Sequence, residues 1–336
     1  MESTKRISFT GSDIKILACI IMLIDHIAAV VILPMIRAGK VPEWVNGIAG
    51  LINSLTGAEV RGIKVFEIVY WIGRLIGRLA FPIFAFLLVE GFIHTKDFVK
   101  YQALLILFAI LSEPVFALAF YNVSDIKLAR SHNVFLTLLC GLVVMYCLKA
   151  VDEHKIFGGL GFLYGPALIF VGITAFSLFM RWEPGGFIKD TFFNGEDLPF
   201  WTFIKFALIC GIIIMMLGFG LTKNLSNEVI AGTALKLIAI ETGVMICELL
   251  KTDYGGGGVL VIVIFYLLRK RQKTKNMLTP MLLTVKNGFE VTTFLDIPIL
   301  MRYNGKRGLK LKYVFYIFYP LHLIILHCIK NLCIME

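Results

Sequence analysis

The chain alternates long apolar runs with short polar connections. A hydrocarbon core of about 30 Å takes roughly 20 helical residues to cross. The runs are too long for strands, and they lack the period-2 alternation of a membrane β-barrel. The pattern therefore predicts an all-α, polytopic integral membrane helical bundle. Its transmembrane helices number about ten, roughly at 13–36, 66–93, 99–121, 133–150, 158–181, 200–222, 229–250, 256–269, 278–301 and 312–332.

Composition supports the same class of protein. Hydrophobic residues make up 58% of the chain and charged residues only 17%, whereas a soluble domain has about a quarter of its residues charged. The first apolar run follows Lys5 and Arg6 and lacks a small-x-small cleavage site, so we interpret it as a retained first helix. No linker or long soluble insert interrupts the sequence, which predicts one integral membrane domain over residues 1–336.

The net charge of +10 raises the question of a nucleic-acid partner. Lys and Arg lie in short connections such as "RKRQKTK" at 269–275, as the positive-inside rule predicts for membrane proteins. The expected partner is therefore the lipid bilayer and not nucleic acid, with the N-terminus on the cytoplasmic side of the cell membrane. Of the seven cysteines, six lie inside apolar runs and none forms a CxxC pair, so no metal site is predicted.

The basic segment "RYNGKRGLKLK" at 302–312 departs from this rule, because a ten-span topology puts it on the outer side. Either one span is miscounted, or the segment has a role other than setting topology. Lys286, Asn287 and Glu290 interrupt the run at 278–301. A re-entrant segment there would put residues 302–312 on the cytoplasmic side.

Two adjacent polar residues, Asp25 and His26, lie in the middle of the first apolar run. Ionisable groups at bilayer depth are costly and usually face the bundle interior or a water-filled cavity. Neighbours on a helix point about 100° apart, so each is expected to meet a different partner on another helix. Imidazole exchanges protons near neutral pH, which makes His26 a catalytic candidate. A hydrogen-bonded core histidine is the alternative, and Asp25 is expected to orient the site or form an ion pair.

Lys15 lies eleven residues before His26, which puts both on one helix face and about 16 Å apart along the axis. A cation at the membrane edge and a base halfway along the same wall suit a long ligand with an anionic head and a reactive tip. Coenzyme A, with its phosphates and extended arm, fits that description. The alternative is a lysine that anchors the helix at the membrane surface.

The stretch "WIGRLIGRLAFPIFAFLLVEGF" at 71–92 holds three more candidates. Arg74 and Arg78 are four residues apart and lie on one helix face. Glu90 lies within about a third of a turn of the same face, and Pro82 can kink the helix between them. Arg74 could instead sit at the membrane edge, and Arg78 and Glu90 could form a structural pair.

Further polar candidates lie near helix ends. Glu113 precedes a proline, which frees a backbone carbonyl in what could be a water-lined pocket. His132 is expected to be solvated, and the Asn133 side chain could cap the fourth span. Asp253 and Tyr254 precede four glycines, which predict a flexible turn with possible close backbone approach to a ligand.

The stretch "YIFYPLHLIILH" near the C-terminus contains His322, which follows a proline within a wall of aromatic side chains. Because a histidine at this depth is costly to bury without a role, His322 is a second candidate for a functional buried histidine.

Several blocks together resemble the TraX family of integral membrane proteins. They are "IIMLIDHIAAV", "GRLAFPIFAFLLVEGF", "HNVFLTLLCG", "TDYGGGGVL" and "RYNGKRGLKLKYVFYIFYPLHL", in the family's order and over nearly the whole chain. The resemblance implies a membrane acetyltransferase that acetylates the N-terminal amine of pilin. It also implies distant kinship with the broad membrane acyltransferases that modify glycans, whose first helix carries a basic residue, ten spacers and a histidine. Lys15 and His26 match that spacing, whereas Glu90 stands where those relatives favour serine.

We therefore expect an enzyme that moves an acetyl group from cytoplasmic acetyl-CoA, as co-substrate, to a pilin-like peptide N-terminus or an envelope glycan. His26 would act as base or carry the acetyl group, with Asp25 orienting the site and Arg78 stabilising the oxyanion. The alternative is a transporter or a non-catalytic assembly factor with a buried proton relay. The candidate binding residues are Lys15, Arg74, Arg78, Glu90, Glu113, Asn133, Asp253, Tyr254, Asn304, Lys306, Arg307 and His322.

Overall fold

The computed structural model describes residues 8–121, 131–154, 159–193, 195–309 and 312–335. Helices make up nearly all of these residues, and no named strand occurs among them. The helices are α1 Gly11–His26, α2 Leu33–Arg37, α3 Glu43–Thr56, α4 Gly62–Gly77, α5 Ala80–His94, α6 Phe98–Phe120, α7 Val134–Glu153, α8 Tyr164–Arg181, α9 Glu183–Phe193, α10 Phe200–Thr222, α11 Asn227–Leu249, α12 Gly255–Leu267, α13 Gln272–Lys286, α14 Asp296–Met301 and α15 Lys312–Met335. The predicted all-α class is confirmed.

Eight helical segments in the described part of the chain are long and apolar enough to cross a membrane. They match eight of the ten predicted spans, and they are Gly11–Arg37, Gly62–His94, Phe98–Phe120, Val134–Glu153, Gly161–Arg181, Phe200–Thr222, Asn227–Leu249 and Tyr313–Ile334. The predicted span at 256–269 corresponds to the 13-residue helix α12, which is only about 20 Å long. The predicted span at 278–301 is divided into the end of α13, a 3₁₀ segment Gly288–Leu295 and the short α14.

The chain forms two compact units, which we describe separately. The first unit consists of the described residues up to Leu87, Ala103–Asn133 and everything from Thr292 onwards. The second unit consists of Leu88–Gln102 and Val134–Val291. One domain over residues 1–336 stays a prediction.

Helix α1 of the first unit begins with a reciprocal cap. The Thr10 backbone N–H donates to the Asp13 carboxylate at 2.9 Å, and the Asp13 N–H donates to the Thr10 hydroxyl at 3.4 Å, which satisfies donors that a helix start leaves unpaired. After His26 the helix widens into a π-helical turn, Ile27–Ile32, before α2. The sequence had given no sign of this widening, and such turns are rare and frequent at functional sites.

Helix α4 packs closely on α1 through glycines. A methyl group at Gly73 would lie 2.8 Å from the Cβ of Ala28, and one at Gly77 would overlap the side chain of Asp25. Small residues at such positions let helix backbones approach each other inside a membrane. The close approach puts the polar side chains of α1 and α4 within reach of each other.

The break between α4 and α5 lies at residues 78 and 79, and not at Pro82 as the sequence analysis expected. Pro82 lies in the first turn of α5, where the missing N–H has no intrahelical acceptor to lose. That Arg78 and Glu90 share a face stays a prediction, because residues 78 and 79 interrupt the helix between them. Glu90 also belongs to the second unit.

Residues 302–309 dock beside the start of α1. The Phe9 N–H donates to the Arg302 carbonyl at 2.9 Å, and the N–H groups of Gly11 and Ser12 donate to the carbonyls of Lys306 and Arg307 at 2.8 and 3.0 Å. Two of the N–H groups that a helix start leaves unpaired therefore receive acceptors. The basic segment lies at the end of the first span where the chain begins. The membrane side of residues 302–312 and the re-entrant interpretation of 278–301 both stay predictions.

Helix α15 runs parallel to α1. Lys15 Nζ lies 5.0 Å above the ring of Phe315, His26 contacts His322, and Lys40 Nζ donates to the Ile334 carbonyl at 2.6 Å. The order of these three contacts is the same along both segments. The line of contact between α1 and α15 is called the α1–α15 seam below.

The second unit is centred on α12, in which ten of 13 residues are buried. Glycines again permit close helix packing: Gly141 faces Ile262, Gly243 faces Val144, and Gly172 lies against the backbone of Gly211. A helix that is apolar all round is expected at the centre of a membrane protein, and α12 occupies that place in this unit.

The four glycines at 255–258 are not the flexible turn that the sequence analysis expected, because they form the buried first turn of α12. The Gly256 N–H donates to the Glu248 carboxylate at 2.8 Å. A methyl group at Gly256 would meet Val244, and one at Gly257 would meet Lys286 and Trp182. Here the glycines allow close packing of the neighbouring side chains.

Candidate active site

Two buried histidines meet in the α1–α15 seam. His26 is the last residue of α1 and His322 lies in α15. His26 Nδ1 and His322 Nε2 are 2.7 Å apart, and the two rings lie nearly in one plane, with centroids 5.0 Å apart and an interplanar angle of 3°. The two residues are 296 positions apart, so sequence reasoning named both of them but could not pair them.

Aromatic side chains enclose the two imidazoles, as the sequence predicted for His322. Phe120 and Tyr319 present their edges to the His26 ring at 5.4 and 6.1 Å, and Phe318 stacks on His322 at 4.7 Å. The Phe318 carbonyl also lies 2.7 Å from His322 Nδ1. Hydrogen bonds are stronger in surroundings of low dielectric, so these contacts hold both rings firmly.

Asp25 binds a residue of α4. Its Oδ1 accepts a hydrogen bond from Arg74 Nη1 at 2.7 Å, with the Asp25 and Arg74 side chains only 18% and 22% exposed. The prediction that Asp25 and His26 meet different partners on other helices is confirmed. The interpretation of Arg74 as a membrane-edge residue is replaced, because its charge is neutralised inside the first unit.

Lys15 lies in the same seam as His26, as the eleven-residue spacing predicted, since both contact α15. Eleven residues of α-helix separate them by about 16 Å. The Lys15 ammonium lies over the face of an aromatic ring, an arrangement that is attractive in itself.

The basic segment adds cations near the start of α1. Arg302, Lys306 and Arg307 are exposed, while their backbone groups are bound to residues 9–12. Asn304 has a structural contact, because its Oδ1 accepts the Lys306 N–H at 2.9 Å. The seam therefore has cations at one end and the histidine pair deeper along it.

Glu113, His132 and Asn133 form a separate polar group in the first unit. The Glu113 carboxylate accepts from the Asn133 backbone N–H at 3.2 Å and from its side-chain amide, and His132 Nδ1 lies 2.6 Å from Glu113 Oε1. The Asn133 amide also donates to the Ala109 carbonyl at 2.9 Å. His132 was expected to be solvated, and it is instead partly buried in this group.

Arg78 of the first unit follows the last residue of α4 and is half-buried. The three remaining candidates belong to the second unit. Glu90 Oε2 lies 3.7 Å from His94 Nε2. Burial lowers the pKa of Lys275, and the charge of Glu90 acts in the opposite direction. Asp253 is exposed beside α12, and the Tyr254 carbonyl accepts from Lys286 Nζ at 2.8 Å.

The second unit also contains a cavity of about 580 Å³ that the sequence analysis did not foresee. Hydrogen bonding to Lys189 lowers the pKa of the Asp197 carboxyl at its wall. None of the predicted site residues lines the cavity, whose walls are Ser177, Met180, Arg181, Lys189, Asp197, Leu198, Phe200 and Phe203. In the described part of the chain, no three His, Cys, Asp or Glu side chains are grouped so that they could hold a metal ion.

The fold and this site define a polytopic helical membrane protein with a buried pair of histidines in the first unit. The family model described as TraX protein matches residues 10–243 and 191–330. The chain therefore belongs to the TraX family, and the resemblance drawn from its motifs is confirmed.

A curated relative is the probable fimbrial assembly protein FimC, serogroup H1, of Dichelobacter nodosus. The two are 32% identical over 77 residues, which cover 21% of this chain and 32% of that protein. The chain thus matches about a third of the relative's length. No solved structure matches the chain.

Proposed function

We propose that this protein is an integral membrane acetyltransferase that moves an acetyl group from cytoplasmic acetyl-CoA to an amine or hydroxyl acceptor. The observation that carries the proposal is the buried pair of His26 and His322, held at 2.7 Å in a seam with cations at one end. Buried ionisable groups in membrane helices usually serve function, because burying them is costly.

The cations along the seam suit the anionic part of coenzyme A. Lys15, Lys306 and Arg307 would hold the phosphates by charge-assisted hydrogen bonds. Because His26 lies about 16 Å beyond Lys15, the extended arm would follow the seam and bring the thioester to the imidazole. The N–H groups of Gly11 and Ser12 are bound to carbonyls, so the recognition rests on side-chain charge and not on the helix start.

Two chemical routes are open to His26. As a general base it takes the proton from the acceptor nitrogen or oxygen while that atom attacks the thioester carbonyl carbon; the new C–N or C–O bond forms, the C–S bond breaks, and the thiolate leaves with a proton from the imidazolium. This is worth roughly 10² to 10⁴ in rate. As a nucleophile, a ring nitrogen of His26 attacks the thioester carbonyl carbon, so that an N–C bond forms, the C–S bond breaks and the thiolate leaves. The acceptor then attacks the acetyl carbon, the N–C bond breaks, and the acceptor's proton ends on the thiolate, which divides one hard step into two. Arg78 remains the candidate that stabilises the oxyanion.

The acceptor is proposed to be a pilin-like peptide N-terminus or an envelope glycan. Family membership and the name of the relative, a probable fimbrial assembly protein, support a role connected with pili. A peptide amine and a glycan hydroxyl each lose one proton as they attack, and removal of that proton is the task that His26 is proposed to perform.

The test is transfer of labelled acetyl groups from acetyl-CoA to cell-envelope fractions by the purified protein in nanodiscs. His26→Ala should lower transfer about 10²-fold or more while the protein stays monodisperse. The matched control is His154→Ala, because His154 is exposed at the end of α7. Near-normal turnover by folded His26→Ala protein would reject His26 as the catalytic group.

The second candidate function is a non-catalytic assembly factor, which the name of the curated relative favours. Such a protein would not bind coenzyme A, and no label would leave acetyl-CoA in the presence of any envelope fraction. A calorimetric titration with coenzyme A therefore separates the two functions. Saturable binding of coenzyme A to the wild-type protein, weakened in the Lys15→Ala variant, supports the enzyme.

A further inference from the structure

We propose that His322 is a positioning residue that holds His26 in the tautomer whose basic lone pair is on Nε2. The inference rests on the proposed function, because it concerns the group that would take the acceptor's proton. It adds a role for a second histidine, acting through His26 and not on the substrate.

The first step is the tautomer of His322. Its Nδ1 lies 2.7 Å from the Phe318 backbone carbonyl. A carbonyl oxygen can only accept a hydrogen bond, so His322 Nδ1 carries the hydrogen. In a neutral imidazole one nitrogen donates and the other accepts, and His322 Nε2 is therefore an acceptor.

The second step derives the tautomer of His26 from that of His322. His26 Nδ1 lies 2.7 Å from His322 Nε2. Since His322 Nε2 accepts, His26 Nδ1 must donate, and the lone pair of neutral His26 is on Nε2. A single backbone carbonyl thus determines the proton positions in both rings, in the way that a hydrogen bond to one ring nitrogen selects the role of the other.

The third step is the orientation of the rings. The two imidazoles lie nearly in one plane, with an interplanar angle of 3°, as a hydrogen bond between ring nitrogens requires. His322 is stacked on Phe318 at 11°, and Tyr319 presents its edge to both imidazoles. A half-turn of His26 about χ2 would put Cδ2 in the place of Nδ1 and lose the bond to His322. The surrounding rings and this hydrogen bond therefore keep Nε2 in one direction.

The hydrogen bond between the two histidines also stabilises the protonated form of His26. When His26 Nε2 takes a proton, the imidazolium still donates from Nδ1 to His322 Nε2, which remains a neutral acceptor. A charge-assisted hydrogen bond of this kind is stronger than a neutral one, so His322 stabilises the cation without itself being protonated. The resting pair carries no net charge, which avoids the cost of placing an unpaired ion in apolar surroundings.

The test compares two amides at position 322. In His322→Gln the side-chain oxygen reaches the position of Nε2 and can still accept from His26 Nδ1. In His322→Asn the amide ends near the position of Nδ1, so it can keep the Phe318 contact but cannot reach His26. The two variants lose the same ring and differ mainly in reach, which makes each a control for the folding of the other.

For acetyl transfer by the full-length protein in nanodiscs, we expect His322→Gln to keep kcat within about tenfold of wild type. His322→Asn should lose about 10²-fold in kcat, with the KM for acetyl-CoA nearly unchanged, since His322 is remote from the proposed phosphate contacts. Equal kcat values for the two amide variants would overturn the positioning role.

A second readout does not depend on activity. Nitrogen NMR of histidine-labelled protein reports which ring nitrogen carries hydrogen, and the His26 signals are identified by their loss in His26→Ala. Wild type and His322→Gln should show a protonated Nδ1 and a bare Nε2 at His26, and His322→Asn should show a mixture. A bare Nδ1 in wild type would overturn the inference. The expected tautomer without acetyl transfer to any acceptor would instead reject the proposed function.

Discussion

Gly77 of α4 lies directly against Asp25 of α1. A methyl group at this glycine would overlap the Asp25 carboxylate, which accepts the hydrogen bond from Arg74 at 2.7 Å. Gly77 thus leaves the space that the ion pair occupies. Asp25 lies one residue before His26. The packing of α4 on α1 and the position of His26 therefore both depend on the contact between Gly77 and Asp25.

Replacing Gly77 by alanine should therefore destabilise the protein. The added methyl group forces the Asp25 side chain away from Arg74, and overpacking of this kind costs about 1–3 kcal/mol. We expect a lower Tm for Gly77→Ala in detergent, measured by tryptophan fluorescence.

The matched control is Gly47→Ala. Gly47 lies inside helix α3 with nothing within 4 Å of the position that a Cβ would take. Alanine favours a helix over glycine by about 0.5–1 kcal/mol, so this variant should be as stable as wild type or more stable. A Gly77→Ala protein as stable as Gly47→Ala would show that α4 can move away from Asp25 at no cost.

The spans could be predicted from the sequence because apolar length is a local property. Prediction from the sequence failed where one local pattern is compatible with two structures. Four glycines can be a flexible turn or a tightly packed helix start, and α12 shows the second. A proline can kink a helix or begin one, and Pro82 lies in a first turn. The neighbours that decide between these readings come from distant parts of the chain.

The candidate site was predicted in its members but not in its pairings. Asp25, His26 and His322 stand out because each is polar within an apolar run, and the 100° separation of neighbours was enough to exclude a pair of Asp25 with His26. The partner of His26 lies 296 residues away, and no single-sequence pattern links two parallel helices at that distance. Phe318 was also missed, because its backbone carbonyl, and not its side chain, makes the contact with His322.

Lys15 provides a test of coenzyme A recognition. Loss of one charge-assisted phosphate contact should weaken binding about tenfold or more. The loss should shrink as salt is raised, because salt screens the attraction between charges that solvent reaches. Lys15→Ala should change the Kd for coenzyme A in a titration more than it changes kcat.

The control for charge alone is Lys223→Ala, since Lys223 is an exposed cation in the connection before α11. Unchanged affinity of the Lys15→Ala protein would mean that Lys15 only anchors α1 at the membrane surface.

Substitution of two glycines in the basic segment distinguishes the effect of backbone strain from the effect of close packing. Gly305 and Gly308 have φ values of +73° and +72°, which disfavour any other residue. A Cβ at Gly305 would meet nothing within 4 Å, whereas one at Gly308 would overlap the hydroxyls of Ser12 and Thr10. The two positions therefore carry a similar conformational cost, and only Gly308 is also closely packed on the start of α1.

We expect Gly308→Ala to displace the basic segment and to weaken coenzyme A binding several-fold, while Gly305→Ala keeps wild-type affinity at a conformational cost of about 1–2 kcal/mol. The affinities are measured by calorimetry, and protease accessibility after Arg302 and Lys306 reports the docking itself. If the segment is released and the affinity for coenzyme A is unchanged, Lys306 and Arg307 do not take part in coenzyme A recognition.

Asp296 gives the protein a dependence of stability on pH. This residue begins the short helix α14, outside the eight candidate spans. It is 2% exposed, and neither carboxylate oxygen has a hydrogen-bond partner among the described residues. Burial raises its pKa well above the ordinary value, because desolvation disfavours the charged form.

The direction of the effect follows from proton counting. Between the pKa of an unfolded aspartate, about 3.9, and the raised pKa of Asp296, the folded protein holds a proton that the unfolded chain has lost. Stability therefore falls as pH rises through that window. Asp296→Asn removes the titration, so the Tm of wild type relative to this variant should fall steadily from about pH 4 upwards until the folded carboxyl has ionised. Asp190→Asn, the same change at an exposed aspartate of α9, is the matched control for the loss of a carboxyl. If the Tm difference for Asp296→Asn does not change with pH, the Asp296 carboxyl binds its proton alike in the folded and unfolded protein, and the raised pKa is rejected.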